Sequence, residues 1–250
     1  MKAMIFAAGL GTRLYPITLN IPKALVEVGG KPMLQHVLDK LPALGIKDVV
    51  VNVHHHADKV ERYLGDLMAT MSINVSDERD CLLDTGGGVV KAMPWLHGEE
   101  VLLHNADILT DVSIMDMVEY HRDSEADVTL LVSKRETSRY LLVDDFMRMR
   151  GWVNVKTGAV RPKDLPVEYL NNKVAFGGVH ILSPRALDAI QSYKDIGTPF
   201  SITDFYIDSV DTLKIQCFIP QDNYMWYDIG KPETLAAARE ALKSRKKIVE

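Results

Sequence analysis

Two short runs near the start, "KAMIFAA" at 2–8 and "DVVVNV" at 48–53, are apolar on both faces of an extended chain. A strand without a polar face has to be covered on both sides, the situation of a parallel sheet sandwiched between helices. The segments between and after them have helical spacing. "KPMLQHVLDKL" carries a proline in its first turn, and "ADKVERYLGDLMA" is apolar every third or fourth residue. The alternation continues through a weaker strand "SINVSDE", a short helix "GGVVKAM", a strand "EVLLHNADIL" and a helix "DVSIMDMVEYHRD". Ligands of such sheets bind beyond the carboxyl ends of the strands. Three polar features fall there: a glycine loop after the first strand, "NVHHH" after the second, and "NAD" after the fourth.

From about residue 126 the pattern changes to short strands, "ADVTLLVS", "RYLLV", "FMRMRGWVNV" and "VAFGGVHIL", with turns such as "DD" and "KTG" between them. This predicts a small antiparallel substrate lobe inserted over the strand ends. Helices return with "SPRALDAIQSY", where Ser183 caps and Pro184 opens the first turn. "SITDFYIDSV" reads as a further helix, "TLKIQCFIP" and "NYMWYDIG" as strands, and "KPETLAAAREALKSRKK" as a final helix with a cation-rich end. The expected fold class is therefore α/β: a Rossmann-like, three-layer arrangement with a mostly parallel central sheet. A single domain would comprise a nucleotide-binding core at 1–125, a lobe at about 126–183, and a return to the core at 184–250.

Composition narrows the function. The 250 residues are 47% hydrophobic and 25% charged, with a net charge of −5. A general nucleic-acid binder would carry a basic excess, so nucleic acid is not an expected partner. The apolar stretch in "MKAMIFAAG" is too short for a signal-peptide core, and no run approaches a membrane span. A cytoplasmic protein without a membrane partner is expected. Cys81 and Cys217 sit in apolar contexts and are expected to be buried free thiols.

The loop "AAGLGTRLYP" fails two phosphate fingerprints. A dinucleotide motif needs a small residue where Leu14 stands, and a P-loop needs Lys-Ser or Lys-Thr after its glycines. What remains is an irregular, proline-shaped loop with fixed positive charge at Arg13 and Lys23. Amides freed by Gly9 and Gly11 could cradle phosphate oxygens, Arg13 offers a fork of donors, and Lys23 a point charge. A tight turn with solvated charges is the plainer reading. Asp107 closes a buried strand and reads equally as a turn cap. "DTGGGV" reads as a helix entry capped by Asp84 or Thr85, or as a place where Thr85, Gly86 and Gly87 let the backbone meet a base edge. "HHH" at 54–56 lacks partners at metal-ligand spacing, so Asn52 and His54 are placed in a strand-end loop near the nucleotide. "FGGVHI" is a candidate sugar floor, with Phe176 beside Gly177 and Gly178; structural strand glycines are the rival reading.

The sequence "AAGLGTRLYPIT…PKALVEVGGKPM", followed by "LLDTGGGV", "NADIL" and "WYDIGKPETL", resembles the sugar-1-phosphate nucleotidylyltransferases over nearly the whole chain. Its nearest likeness is to short members that act on N-acetylmuramate or mannose 1-phosphate. The resemblance implies nucleotide-sugar biosynthesis: a nucleoside triphosphate and a sugar-1-phosphate give a nucleoside-diphosphate sugar and pyrophosphate. It implies nucleotide contacts at Ala7, Ala8, Gly9, Gly11, Thr12, Arg13, Lys23 and Asn105. Arg13, Lys23 and Asp107 would be catalytic, and Asp107 with Asp228 would hold Mg²⁺. The family's Glu-Lys-Pro lysine has no counterpart here; Lys173 is a candidate substitute, or else a solvated strand-edge lysine. A non-catalytic nucleotide-sugar sensor and a cytidylyltransferase acting on phosphocholine are the competing readings. The sensor would be expected to lose Arg13, Lys23 or an aspartate, and all are present.

Overall fold

A computed structural model describes residues 1–68, 71–221 and 223–249. Ala69, at the end of the second expected helix, lies outside the described residues. The first apolar run forms β1 (Lys2–Phe6). Two two-residue strands, β2 (Glu27–Val28) and β3 (Lys31–Pro32), pair with each other before α1 (Met33–Leu38). Then follow β4 (Asp48–Val53), α2 (Ala57–Gly65), β5 (Ser72–Asp77), α3 (Asp84–Leu96) and β6 (Val101–Asn105). β1 lies between β4 and β6, parallel to both, and β5 runs parallel to β4 on the far side. Apolar residues of α1 and α2 pack one face of these strands and those of α3 the other, as the two-faced strands require.

The reading "EVLLHNADIL" as one strand is corrected. β6 ends at Asn105, and a separate β7 (Ile108–Thr110) leaves the sheet. It pairs antiparallel with β14 (Trp226–Asp228), Ile108 opposite Asp228. Between them lie α4 (Ile114–Asp123), β8 (Val128–Ser133), β9 (Arg139–Val143), β10 (Met149–Asn154), β11 (Ala159–Arg161), β12 (Lys173–Leu182), α5 (Pro184–Gln191), α6 (Ile202–Asp208) and β13 (Ile215–Phe218). The chain closes with α7 (Pro232–Val249).

The antiparallel strands expected over 126–183 are continuous with the core sheet. Among the described residues ten strands form one sheet, ordered β11-β10-β9-β12-β6-β1-β4-β5, with β8 on β12 and β13 on β8. β12 makes the join. Its last four residues pair with β6, and its first two pair with β9. The register to β8 breaks between Phe176 and His180, over the two glycines. There the strand bends from the core sheet into the β9–β11 meander, as a bulge allows. Cys217 is buried as expected, but Cys81 is exposed. Its apolar neighbours Leu82 and Leu83 turn inward after β5 while the thiol stays outside.

Two histidines are buried on adjacent strands of this sheet but on opposite faces of it, His104 on β6 and His180 on β12. Burial drives the pKa of each down to about 3, helped at His104 by Lys40 and at His180 by His104. Both rings therefore fold neutral, and the unfolded chain takes up protons first as pH drops below about 6.5. The depressed folded values make this stability fully present above pH 6.5 and progressively lost toward pH 3. Denaturant unfolding should show each ring removing about 2 kcal/mol between pH 7 and pH 5. His104→Asn should flatten the slope; a wild-type profile level over this range would contradict neutral burial.

Candidate active site

The glycine loop leaves β1 at the carboxyl edge of the sheet and is held from three sides. Gly11 sits at φ +68, and a side chain there would press on Thr18 and Lys23. Only glycine takes both that backbone and that crowding without cost. Thr18 Oγ1 donates to the Gly11 carbonyl at 2.7 Å, and Leu14 drops into a small core with Val26, Val28, Met33, Leu109, Ile229 and Leu235. The loop thus rests on residues from β7 and from the segment after β14. His56 and Lys59, at the end of β4 and start of α2, contact the carbonyls of Leu19 and Asn20.

Asn52 is placed near this loop, as expected, but in a supporting position. It is 2% exposed, accepts from the Ala7 amide at 2.8 Å, and donates to Glu78 Oε1 at 2.7 Å. Glu78 Oε2 also accepts the Leu83 amide at 3.1 Å. The carboxyl ends of β1, β4 and β5 are thereby linked to the start of α3. Burial raises the Glu78 pKa, against the pull of Asn52 and the Leu83 amide. Sequence reasoning passed over Glu78; the acid ending "SINVSDE", at a strand end facing two other such ends, was the available signal.

A cavity of about 370 Å³ opens above these strand ends, lined by Ala7, Gly9, Gly11, Thr12, Arg13, Lys23, Ala106 and Asp107, with Leu10 and Leu82 as apolar walls. Among the described residues, the amides of Ala8, Gly9, Leu10 and Gly11 have no protein acceptor. Arg13 is exposed and has no carboxylate partner there, whereas Lys23 pairs with Asp107. Asp228 enters through the β7–β14 pairing, and the Ile229 amide donates to the Asp107 carbonyl at 3.0 Å. Gly230 marks where the charges meet. A methyl group on it would stand 2.8 Å from Asp228 Oδ1, 2.9 Å from Arg13 Nη2 and 3.1 Å from Lys23 Nζ. Three charged side chains from opposite ends of the sequence thus surround one point, and Asp107 is paired to one of them, Lys23.

Other expected contacts lie elsewhere. Gly86 and Gly87 both donate to the Phe200 carbonyl, and their missing side chains make room for the Phe200 ring and the Thr198 carbonyl. Thr85 Oγ1 accepts the Ile202 amide at 2.9 Å. These three residues dock α3 against 198–202, and Asp84 Oδ1 accepts the first-turn amide of Thr85 at 2.6 Å. At Gly177 and Gly178 side chains would meet Leu131, and Asn105 with Ile108, respectively, so close packing alone calls for glycine there. Trp226 Nε1 donates to the Gly177 carbonyl at 2.9 Å. Asn105, half-buried, ends β6 against Gly178. Lys173 is exposed at the start of β12, opposite Leu142, and lines neither this cavity nor the one beside Phe176.

A glycine loop with free amides, two cations over it and two aspartates at its rim is equipped to hold polyphosphate. A sequence profile described as nucleotidyl transferase matches residues 2–245. The chain belongs to that family. It is 34% identical over 250 residues to an N-acetylmuramate alpha-1-phosphate uridylyltransferase of Caulobacter vibrioides, covering 96% of both chains. It is 30% identical over 245 residues to a mannose-1-phosphate guanyltransferase of Schizosaccharomyces pombe, covering 93% of this chain and 62% of that protein. The fold is shared with a putative glucose-1-phosphate thymidylyltransferase from Bacillus anthracis, at a TM-score of 0.80 and 20% identity over 96% of this chain and 94% of the other. The Rossmann-like α/β sheet is therefore the family's own. Among the described residues no helix is long and apolar enough to cross a membrane.

The strand-end brace has a direct test. Asn52→Leu leaves the Ala7 amide and one Glu78 oxygen unsatisfied in the interior, each at about 1–3 kcal/mol. Unfolding free energy should fall accordingly, and Asn52→Leu with Glu78→Leu should cost less than the two single changes added. Strict additivity would remove the coupling between them.

Proposed function

We propose that the chain is a sugar-1-phosphate nucleotidylyltransferase. A phosphate oxygen of the sugar-1-phosphate attacks the α-phosphorus of a nucleoside triphosphate, the bond to the β-bridging oxygen breaks, and pyrophosphate leaves. The nucleophile is already anionic, so no base is required; the barrier lies in bringing polyanions together and holding them in line. The observation that carries this reading is the convergence of Arg13, Lys23 and Asp228 around Gly230, with Asp107 on Lys23. The free amides of Ala8–Gly11 suit the triphosphate, Arg13 the departing pyrophosphate, and Lys23 the α-phosphate as its charge redistributes.

Mg²⁺ is the expected cofactor, and the residues fit it. Asp107 and Asp228 are hard oxygen donors carried on paired segments beside the phosphate cradle. No cluster of three or more His, Cys, Asp or Glu occurs among the described residues. Mg²⁺ takes one or two carboxylates and completes its shell with phosphate oxygens and water, so such a pair suffices. The ion would neutralise charge on the triphosphate. The partners are then a nucleoside triphosphate and a sugar-1-phosphate, in nucleotide-sugar biosynthesis.

Pyrophosphate release with Mg²⁺, measured for the common nucleoside triphosphates against a panel of sugar-1-phosphates, should reveal at least one active pair. Lys23→Ala should then lower the rate on the order of 100-fold or more, and Asp107→Asn should remove it. Nucleotide binding with no turnover of any pair would favour a sensor instead. Gly230→Ala separates site from fold. Its methyl group displaces only the flexible ends of three side chains. Unfolding free energy should stay within about 1 kcal/mol, while triphosphate affinity falls at least about tenfold, or about 1.4 kcal/mol. Unchanged affinity would remove Gly230 from the site.

A further inference from the structure

The two aspartates sit at one end of the β7–β14 pairing, where Ile108 faces Asp228 and the Ile229 amide donates to the Asp107 carbonyl. The other end is closed by a polar clamp on Met225, the residue before β14. The Asp111 amide donates to the Met225 carbonyl at 3.1 Å, and the Thr110 hydroxyl donates to the same oxygen at 2.6 Å. The Met225 amide in turn donates to Asp111 Oδ1. Half-buried Lys40, just past α1, donates to the Thr110 carbonyl, and Arg245 of α7 pairs with Asp111 Oδ2. Burial lowers the Lys40 pKa to about 8, and Asp111 is the charge opposing that shift. None of Lys40, Thr110, Asp111, Met225 and Arg245 lines the cavity over the glycine loop.

β7 and β14 have three residues each and form a sheet of their own. A two-stranded pairing is marginal by itself in water, so a register this short has to be set from outside. A slip of one residue would turn Asp228 to the opposite face, away from Arg13 and Lys23. Trp226 is held through its side chain, with the Arg135 guanidinium 4.3 Å over the ring and Nε1 on the Gly177 carbonyl. The clamp on Met225 holds the backbone itself. Resting on the metal site proposed above, we propose that Asp111 is a positioning residue for it: by accepting the Met225 amide, Asp111 sets the register of β14 and so the place of Asp228 relative to Asp107. What this requires is an oxygen acceptor. The pair with Arg245 has both side chains partly exposed and contributes little.

Without an acceptor nothing turns over, so calorimetric titration of the common nucleoside triphosphates, with and without Mn²⁺, reads the site directly. Asp111→Ala should weaken binding of the Mn²⁺ complex at least about tenfold. Metal-free nucleotide, which rests on the glycine loop, should bind it as it binds the wild type, within about threefold. Asp111→Asn keeps an acceptor for the Met225 amide and should rescue metal-complex binding to within about threefold of wild type, as should Arg245→Gln. Unchanged binding in Asp111→Ala overturns the proposal. So does an Asn variant as weak as Ala, because charge and not the bond to Met225 would then matter. An equal loss with and without metal overturns it too, as general damage to the fold. If Asp111→Ala does not fold, Thr110→Val removes the other side-chain grip on Met225; the same metal-selective loss upholds the clamp, and unchanged binding overturns it. Amide hydrogen exchange keeps this result apart from the transferase reading. If no nucleotide binds, loss of protection over 226–229 in Asp111→Ala, restored in Asp111→Asn, upholds Asp111 as the residue that sets the register while the transferase reading fails. Unchanged protection overturns the clamp as well.

Discussion

The pairing of β7 with β14 is the contact on which the site depends. Residues 108–110 and 226–228 are joined across most of the chain, with the Thr110 hydroxyl on the Met225 carbonyl and the Ile229 amide on the Asp107 carbonyl. This pairing brings two carboxylates to one place. The small core beneath it, where Leu14 meets Leu109 and Ile229, fixes the glycine loop to the same segments. Positive and negative halves of the site are therefore positioned by one packing arrangement, although they come from opposite ends of the chain.

Support from the parallel strands is polar. Asn52 and Glu78 hold three strand ends together through buried hydrogen bonds that a hydrophobic contact could not replace. Such a network specifies geometry, because every member is satisfied only in one arrangement. Above it the charged groups are carried on flexible ends that meet around Gly230, so they can follow a substrate without disturbing the sheet. On the other side of the rim, Arg135 is held by an aromatic face and a carbonyl. The charge it presents is fixed before any ligand arrives.

Much of this was legible in the sequence for a physical reason. Two-faced apolar strands can be buried only between helices, and glycine, arginine, proline and lysine after the first strand leave few alternatives to a phosphate cradle. Arg13, Lys23 and Asp107 are found lining one cavity on that basis. Where local reading fell short, the deciding partner was distant in sequence. The glycines of "DTGGG" face Phe200 and Thr198, and those of "FGG" face Leu131 and Asn105; a glycine shows only that something is close, not what. The break between β6 and β7 is set by β14, more than 110 residues later, and nothing within "HNADIL" announces it. Arg135 is one charge among many in the sequence until burial singles it out.

The proposed ion site of Asp107 and Asp228 faces the glycine loop. Crystals soaked with Mn²⁺ and a nucleoside triphosphate, read by anomalous scattering, test it directly. The prediction is a single peak touching a carboxylate oxygen of both aspartates, with the phosphates over Gly9 and Gly11 and Lys23 turned toward the α-phosphate. A metal bound away from either aspartate, or a triphosphate lying outside this cavity, would contradict it.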